Sequence, residues 1–133
     1  MDLFKPDMDT ASANSVSMLG LAHVGDAVYE LLTRTKLCNE GHTGVADLHR
    51  RTVAIVNAPA QAKAAGRILP ILTGEETAVY KRGRNTKVNS IPQKADIGQY
   101  HAATGLEALF GWLYLQGRTE RINELYAACT EED

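Results

Sequence analysis

Residues 18–30 read Met18-Leu19-Gly20-Leu21-Ala22-His23-Val24-Gly25-Asp26-Ala27-Val28-Tyr29-Glu30. Apolar side chains recur three or four positions apart, at Met18, Leu21, Val24, Ala27 and Val28, and the pattern continues through Leu31 and Leu32. That spacing is the helical period. One carboxylate, Asp26, stands inside the apolar frame. Residues 102–113 repeat the arrangement as Ala102-Ala103-Thr104-Gly105-Leu106-Glu107-Ala108-Leu109-Phe110-Gly111-Trp112-Leu113, with Glu107 as the lone acid. A charged carboxylate among apolar neighbours is costly unless a cation or strong hydrogen bonds compensate it. Two such acids, each isolated in an apolar helix, point to a shared metal site.

Working outward, the chain predicts an all-α domain, because no stretch alternates with the strand period and Gly and Pro mark the breaks. The first long helix is expected from about Ser15 to Leu37. Gly41-His42-Thr43-Gly44 reads as a turn. A helix over 45–56 follows, with Leu48, Val53, Ile55 and Val56 apolar. Asn57 is placed to cap the next, over 58–69, where Pro59 falls in the tolerant first turn. Thr73-Gly74-Glu75-Glu76 is a capping box opening a helix that ends near Gly83. A polar loop is expected over 83–95. Asp96-Ile97-Gly98-Gln99 is a second capping box, opening the long apolar helix to about Leu115. A last helix starts near Thr119 and runs into the acidic tail Glu131-Glu132-Asp133. Residues 1–13 are expected as a flexible N-terminal arm and 14–133 as one catalytic domain, a size that a single core serves well.

Composition excludes several classes. No uncharged apolar run reaches the roughly 18 residues of a membrane span, and the acidic, polar start is unlike a signal peptide. Cys38 and Cys129 are the only cysteines and form no C-x-x-C pair. A disulfide framework or thiolate metal site is therefore unsupported, and a reducing, cytoplasmic location is expected. The net charge of −2 hides an asymmetry: residues 34–94 hold 11 Lys/Arg against 4 Asp/Glu, and the ends are acidic. A basic middle can face phosphates while the acids stay apart from it.

Ala22, Asp26 and Glu30 share one helix face, as do Thr104 and Glu107. If the two helices pack side by side, Asp26 and Glu107 converge. Two carboxylates completed by water form a hard-oxygen site for Mg²⁺, with Mn²⁺ as substitute. Glu30 reads as an exposed or interface residue. His23 and His101 flank the acids and are poor partners for Mg²⁺. Lys81, Arg82, Arg84, Asn85, Thr86 and Lys87 form a second constellation, joining guanidinium forks to small hydrogen-bonding side chains around Gly83. Without interleaved aromatics it suits duplex RNA, read through phosphates and 2′-hydroxyls, better than stacked single strands. Arg50, Arg51, Lys63 and Arg67 are weaker RNA-contact candidates on amphipathic helices.

The segment from His23 to Glu30 resembles the signature helix of the ribonuclease III family, and Leu106–Leu115 resembles that family's second acidic helix, in matching order and separation. Leu48-His49-Arg50-Arg51, Ala60-Gln61-Ala62-Lys63 and Arg82-Gly83-Arg84-Asn85 are similar to its short bacterial branch, Mini-ribonuclease III, which lacks a double-stranded-RNA-binding domain. The likeness spans about residues 16–127. It implies a helical endonuclease domain that dimerises symmetrically through the signature helix. It implies Mg²⁺-dependent cleavage of double-stranded RNA to a 5′-phosphate and a 3′-hydroxyl, in maturation of the 23S ribosomal RNA precursor, with a ribosomal protein as a candidate partner. Asp26 and Glu107 match two of the family's metal-ligand positions. The other two are Ala22 and Thr104 here, where the full-length family has a glutamate and an aspartate. The branch shares this reduced set, which implies more water around the metal. The alternative is a non-catalytic domain of the same fold that binds structured RNA or ribosomal particles.

Overall fold

The computed structural model describes residues 1–87 and 91–131. Seven α-helices are present among them: α1 (Thr10–Ser15), α2 (Met18–Asn39), α3 (Val45–Val56), α4 (Ala58–Ile68), α5 (Gly74–Arg84), α6 (Ile97–Leu115) and α7 (Thr119–Cys129). A 3₁₀ turn, Leu69–Ile71, follows α4. No strand occurs among the described residues, so the all-α expectation holds.

Local chemistry sets the helix starts. The Ser17 hydroxyl accepts from the Gly20 N–H, the Asn57 side chain from Ala60 and the Asp96 carboxylate from Gln99. Thr73 and Glu76 form the reciprocal capping box. Each satisfies a donor that the helix start would otherwise leave open. The expected first helix starts at Met18 rather than near Ser15, and a separate short helix, α1, lies mostly within the stretch read as an arm. Val16 and Ser17 are extended, so α1 ends before α2 begins. Residues 1–9, read as part of an arm, run past the end of α6. The Met8 N–H donates to the Leu115 carbonyl at 2.9 Å, the Tyr114 hydroxyl donates to the Leu3 carbonyl, and Pro6 is buried.

α6 is the central helix. Every residue from Ala103 to Leu113 except Glu107 is buried, the pattern of a helix surrounded on all sides. α2, α5, α4 and α7 pack around it, α2 most extensively. Tyr29 of α2 meets Phe110 and Tyr126 edge-on, each with ring centroids 5.2 Å apart. The buried Thr33 hydroxyl shares a 2.7 Å hydrogen bond with the Tyr126 hydroxyl. Glu76, 2% exposed, accepts two hydrogen bonds from Arg121 and ties α5 to α7. Burial alone would raise its pKa, but Arg121 and the Thr73 N–H outweigh burial and hold it below the ordinary value.

The α2–α6 crossing is made by two glycines. A Cβ on Gly25 would lie 1.6 Å from the Glu107 carbonyl oxygen, and one on Gly111 would lie 2.0 Å from that of Leu21. The backbones therefore touch at a distance only glycine allows. No helix among the described residues is long and apolar enough to cross a membrane.

Candidate active site

Gly25 immediately precedes Asp26, and its Cα faces the backbone of Glu107 itself. The glycine contact thus brings the two acids, distant in sequence, to one spot. Their carboxyl groups interact side chain to side chain. They differ in setting. Asp26 is exposed, although it stands in an apolar helix. Glu107 is partly buried. Burial, and then the neighbouring Asp26 carboxylate, push its pKa up to about 9, while the Gln61 amide works the other way. Two carboxylates with one so disfavoured as an anion fit a divalent cation, which would neutralise both.

The donor set is small. Among the described residues no group of three or more His, Cys, Asp and Glu converges. Ala22 is buried at the crossing and brings no ligand. Thr104 is 6% exposed, and its hydroxyl donates back to the Tyr100 carbonyl at 3.1 Å. Asp26 and Glu107 are the two carboxylates here that could hold a divalent cation, with water completing its shell. Glu30 pairs with Arg34 at 3.0 Å. His23 is exposed, and the buried Nδ1 of His101 has no hydrogen-bond partner.

The basic segment departs from expectation in one respect. Lys81, Arg82 and Arg84 lie in the last turn of α5, and Asn85 is its C-cap, so the helix runs past the expected boundary. Cations at a helix C-terminus also complement its dipole. Of the expected loop over 83–95, residues 88–90 lie outside the described residues, as do Glu132 and Asp133 of the tail. A Cβ on Gly83 would meet the Ala108 Cβ at 2.8 Å and the Gly105 Cα at 3.0 Å. The basic end of α5 is thus pressed onto α6 next to Glu107 in sequence. Lys81, Arg82, Asn85 and Lys87 are exposed. The Arg84 guanidinium lies over the Tyr80 ring and donates to Asn85 Oδ1 at 3.3 Å. The Thr86 hydroxyl donates to the Arg82 carbonyl at 2.6 Å.

The weaker candidates lie elsewhere. Arg50 and Arg51 both pair with Asp47 on α3. Lys63 and Arg67 line a cleft of about 360 Å³ with Lys36 and Tyr29. The Arg67 guanidinium also donates to the Cys129 carbonyl at 2.9 Å.

Sequence reasoning missed Gln61 as a site residue. It had entered only as part of the segment from Ala60 to Lys63. Its signal was a single amide among Ala58, Ala60, Ala62, Ala64 and Ala65. The side chain is 3% exposed and lies against Glu107. Gly25 likewise entered only as part of the segment from His23 to Glu30.

Comparison with known proteins identifies the family. The family model described as the ribonuclease III domain matches residues 19–118. A Mini-ribonuclease 3 of Symbiobacterium thermophilum is 42% identical over 124 residues, covering 93% of this chain and 95% of that one. One from Enterococcus faecalis is 42% identical over 116 residues, covering 86% and 88%. A crystal structure of a Fusobacterium nucleatum protein superposes with a TM-score of 0.78 at 31% identity, covering 85% of this chain and 87% of that one. The chain belongs to the ribonuclease III family, in its Mini-ribonuclease 3 branch.

Proposed function

We propose that this endoribonuclease cuts double-stranded RNA with Mg²⁺ held by Asp26 and Glu107, and that it matures the 23S ribosomal RNA precursor in the bacterial cytoplasm. The observation that carries the reading is the meeting of Asp26 and Glu107 at the Gly25 contact, where Glu107 is disfavoured as an anion unless a cation is near. Divalent-metal dependence is general in the family; Mg²⁺ is favoured by two hard carboxylate donors, and Mn²⁺ fits the same donors. When bound, such an ion supplies an activated water and neutralises charge developing on a phosphoryl oxygen. The reaction is hydrolysis: water oxygen attacks phosphorus, the bond to the 3′-oxygen breaks, and a 5′-phosphate and 3′-hydroxyl result.

The remaining work falls to the chain's own side chains. Lys81, Arg82, Arg84, Asn85, Thr86 and Lys87 hold the RNA backbone beside the acids. Such contacts position a duplex without reading its sequence. The active form is a symmetric homodimer. Leu19, Leu31, Val45 and Val53 are 37%, 52%, 83% and 45% exposed on α2 and α3. Exposed apolar side chains on these helices suit burial against a second copy. A two-fold axis would set one acid pair against each strand. A ribosomal protein is a candidate partner in presenting the precursor.

The test is cleavage of a long double-stranded RNA in Mg²⁺ or EDTA by the wild type and by Asp26→Asn. Cleavage is expected to need both the ion and Asp26, with dimer and RNA binding retained in the variant. A folded, fully active variant would refute the site. Ala22 and Thr104 favour a second reading, a non-catalytic domain binding structured RNA. RNA binding without cleavage, in Mg²⁺ and Mn²⁺ alike, would establish it.

A further inference from the structure

We propose that Gln61 is the third protein group of the metal site, a positioning residue whose buried amide lies beside the Glu107 carboxylate and, when the ion is bound, donates to it and sets how it faces the ion. The inference rests on the reading of Asp26 and Glu107 as metal ligands.

Gln61 lies one turn into α4, after the Asn57 cap, and α4 packs along α6. Its neighbours on the helix are alanines. At 3% exposure the amide is shut away from water, and its Nε2 has no hydrogen-bond partner. A buried donor left without a partner is costly. A leucine or methionine would fill the same volume without that cost, so packing alone does not account for an amide here. The polar group beside it is the Glu107 carboxyl. An N–H donor next to a carboxylate favours its charged form, which is the form a metal ligand must take.

The closed positions on α2 and α6 explain why such a group is needed. Ala22 carries no ligand, and Thr104 is turned onto its own helix. No neighbouring acid on α6 therefore restrains Glu107 from below. A neutral amide from a third helix restrains it without adding charge. Outer groups that orient a ligand in this way typically govern metal affinity by about 10–100-fold.

The test measures Mn²⁺ binding to the full chain by calorimetry and by paramagnetic resonance, in wild type, Gln61→Leu, Gln61→Glu and Asp26→Asn. Gln61→Leu is expected to weaken Mn²⁺ binding by about 10–100-fold. It should raise the Mg²⁺ concentration for half-maximal cleavage in step, with KM for duplex RNA at saturating Mg²⁺ unchanged. Gln61→Glu, which keeps the side-chain length but turns the donor facing Glu107 into an acceptor, is expected to weaken Mn²⁺ binding as well. Wild-type Mn²⁺ affinity in Gln61→Leu, alongside lost binding in Asp26→Asn, would overturn the role of Gln61 and leave the metal site standing. Wild-type binding and cleavage in Asp26→Asn would instead overturn the metal site itself, and this inference with it. If Gln61→Leu does not fold, Gln61→Glu decides: a wild-type or tighter Mn²⁺ affinity overturns the donor role of the amide.

Discussion

Glu107→Gln is expected to stabilise the metal-free protein while abolishing cleavage. The Glu107 pKa is raised from an ordinary 4.5 to about 9, first by burial and then by Asp26. Below pH 4.5 the group is protonated in both folded and unfolded chains, and it costs nothing. Between the two values the folded chain holds a proton that the unfolded chain has released. Raising the pH through that window therefore favours unfolding, by about 1.4 kcal/mol per unit. At pH 7 the cost reaches at most about 3 kcal/mol. Glutamine has the same shape and no proton to hold. Thermal melts in EDTA at several pH values compare the two. They should coincide near pH 4.5 and separate as pH rises, by up to roughly 10 °C at neutral pH for a domain of this size. Mg²⁺ should narrow the gap by stabilising the wild type alone, by about 2.7 kcal/mol at a hundred times its dissociation constant. A gap that does not change with pH, or equal stabilisation of both proteins by Mg²⁺, would refute the reasoning.

Other perturbations probe the surface and the crossing. Replacing Arg82, Arg84 and Lys87 with alanine should weaken duplex RNA binding and flatten its dependence on salt, since each lost phosphate contact removes about 0.9 from the slope of log affinity against log salt for a B-form duplex, taken here as a guide for RNA. An unchanged slope in filter-binding titrations would clear this segment of phosphate contact. Gly111→Ala would push a methyl group into the Leu21 carbonyl. It should cost about 3 kcal/mol or more, because neither backbone can yield as a side-chain tip would. A denaturant midpoint equal to wild type would show that the helices do not touch there.

The sequence by itself determined the helices and where they start. Asn57, Thr73 with Glu76, and Asp96 act within one turn, so their chemistry is complete in a few consecutive residues, whereas the break at Val16 and Ser17 was not read. It also marked Asp26 and Glu107, because a lone acid in an apolar frame stands out whatever it packs against. Their resemblance to a known family was legible for the same reason: it lies in short, ordered segments. The tertiary structure decided what those acids share. Asp26 is exposed and Glu107 half-buried, although both sit in equally apolar stretches, because α6 is covered on nearly every side and α2 along one stripe only. The backbone contact at Gly25 and Gly111 sets where α2 crosses α6, and a glycine in a helix carries no local sign of the helix it will touch. Gln61 is the clearest case. Among alanines it looked like an incidental polar residue on α4. Only the packing of α4 against α6 shuts it from water and leaves its amide beside Glu107, a juxtaposition of helices that no spacing within α4 could reveal.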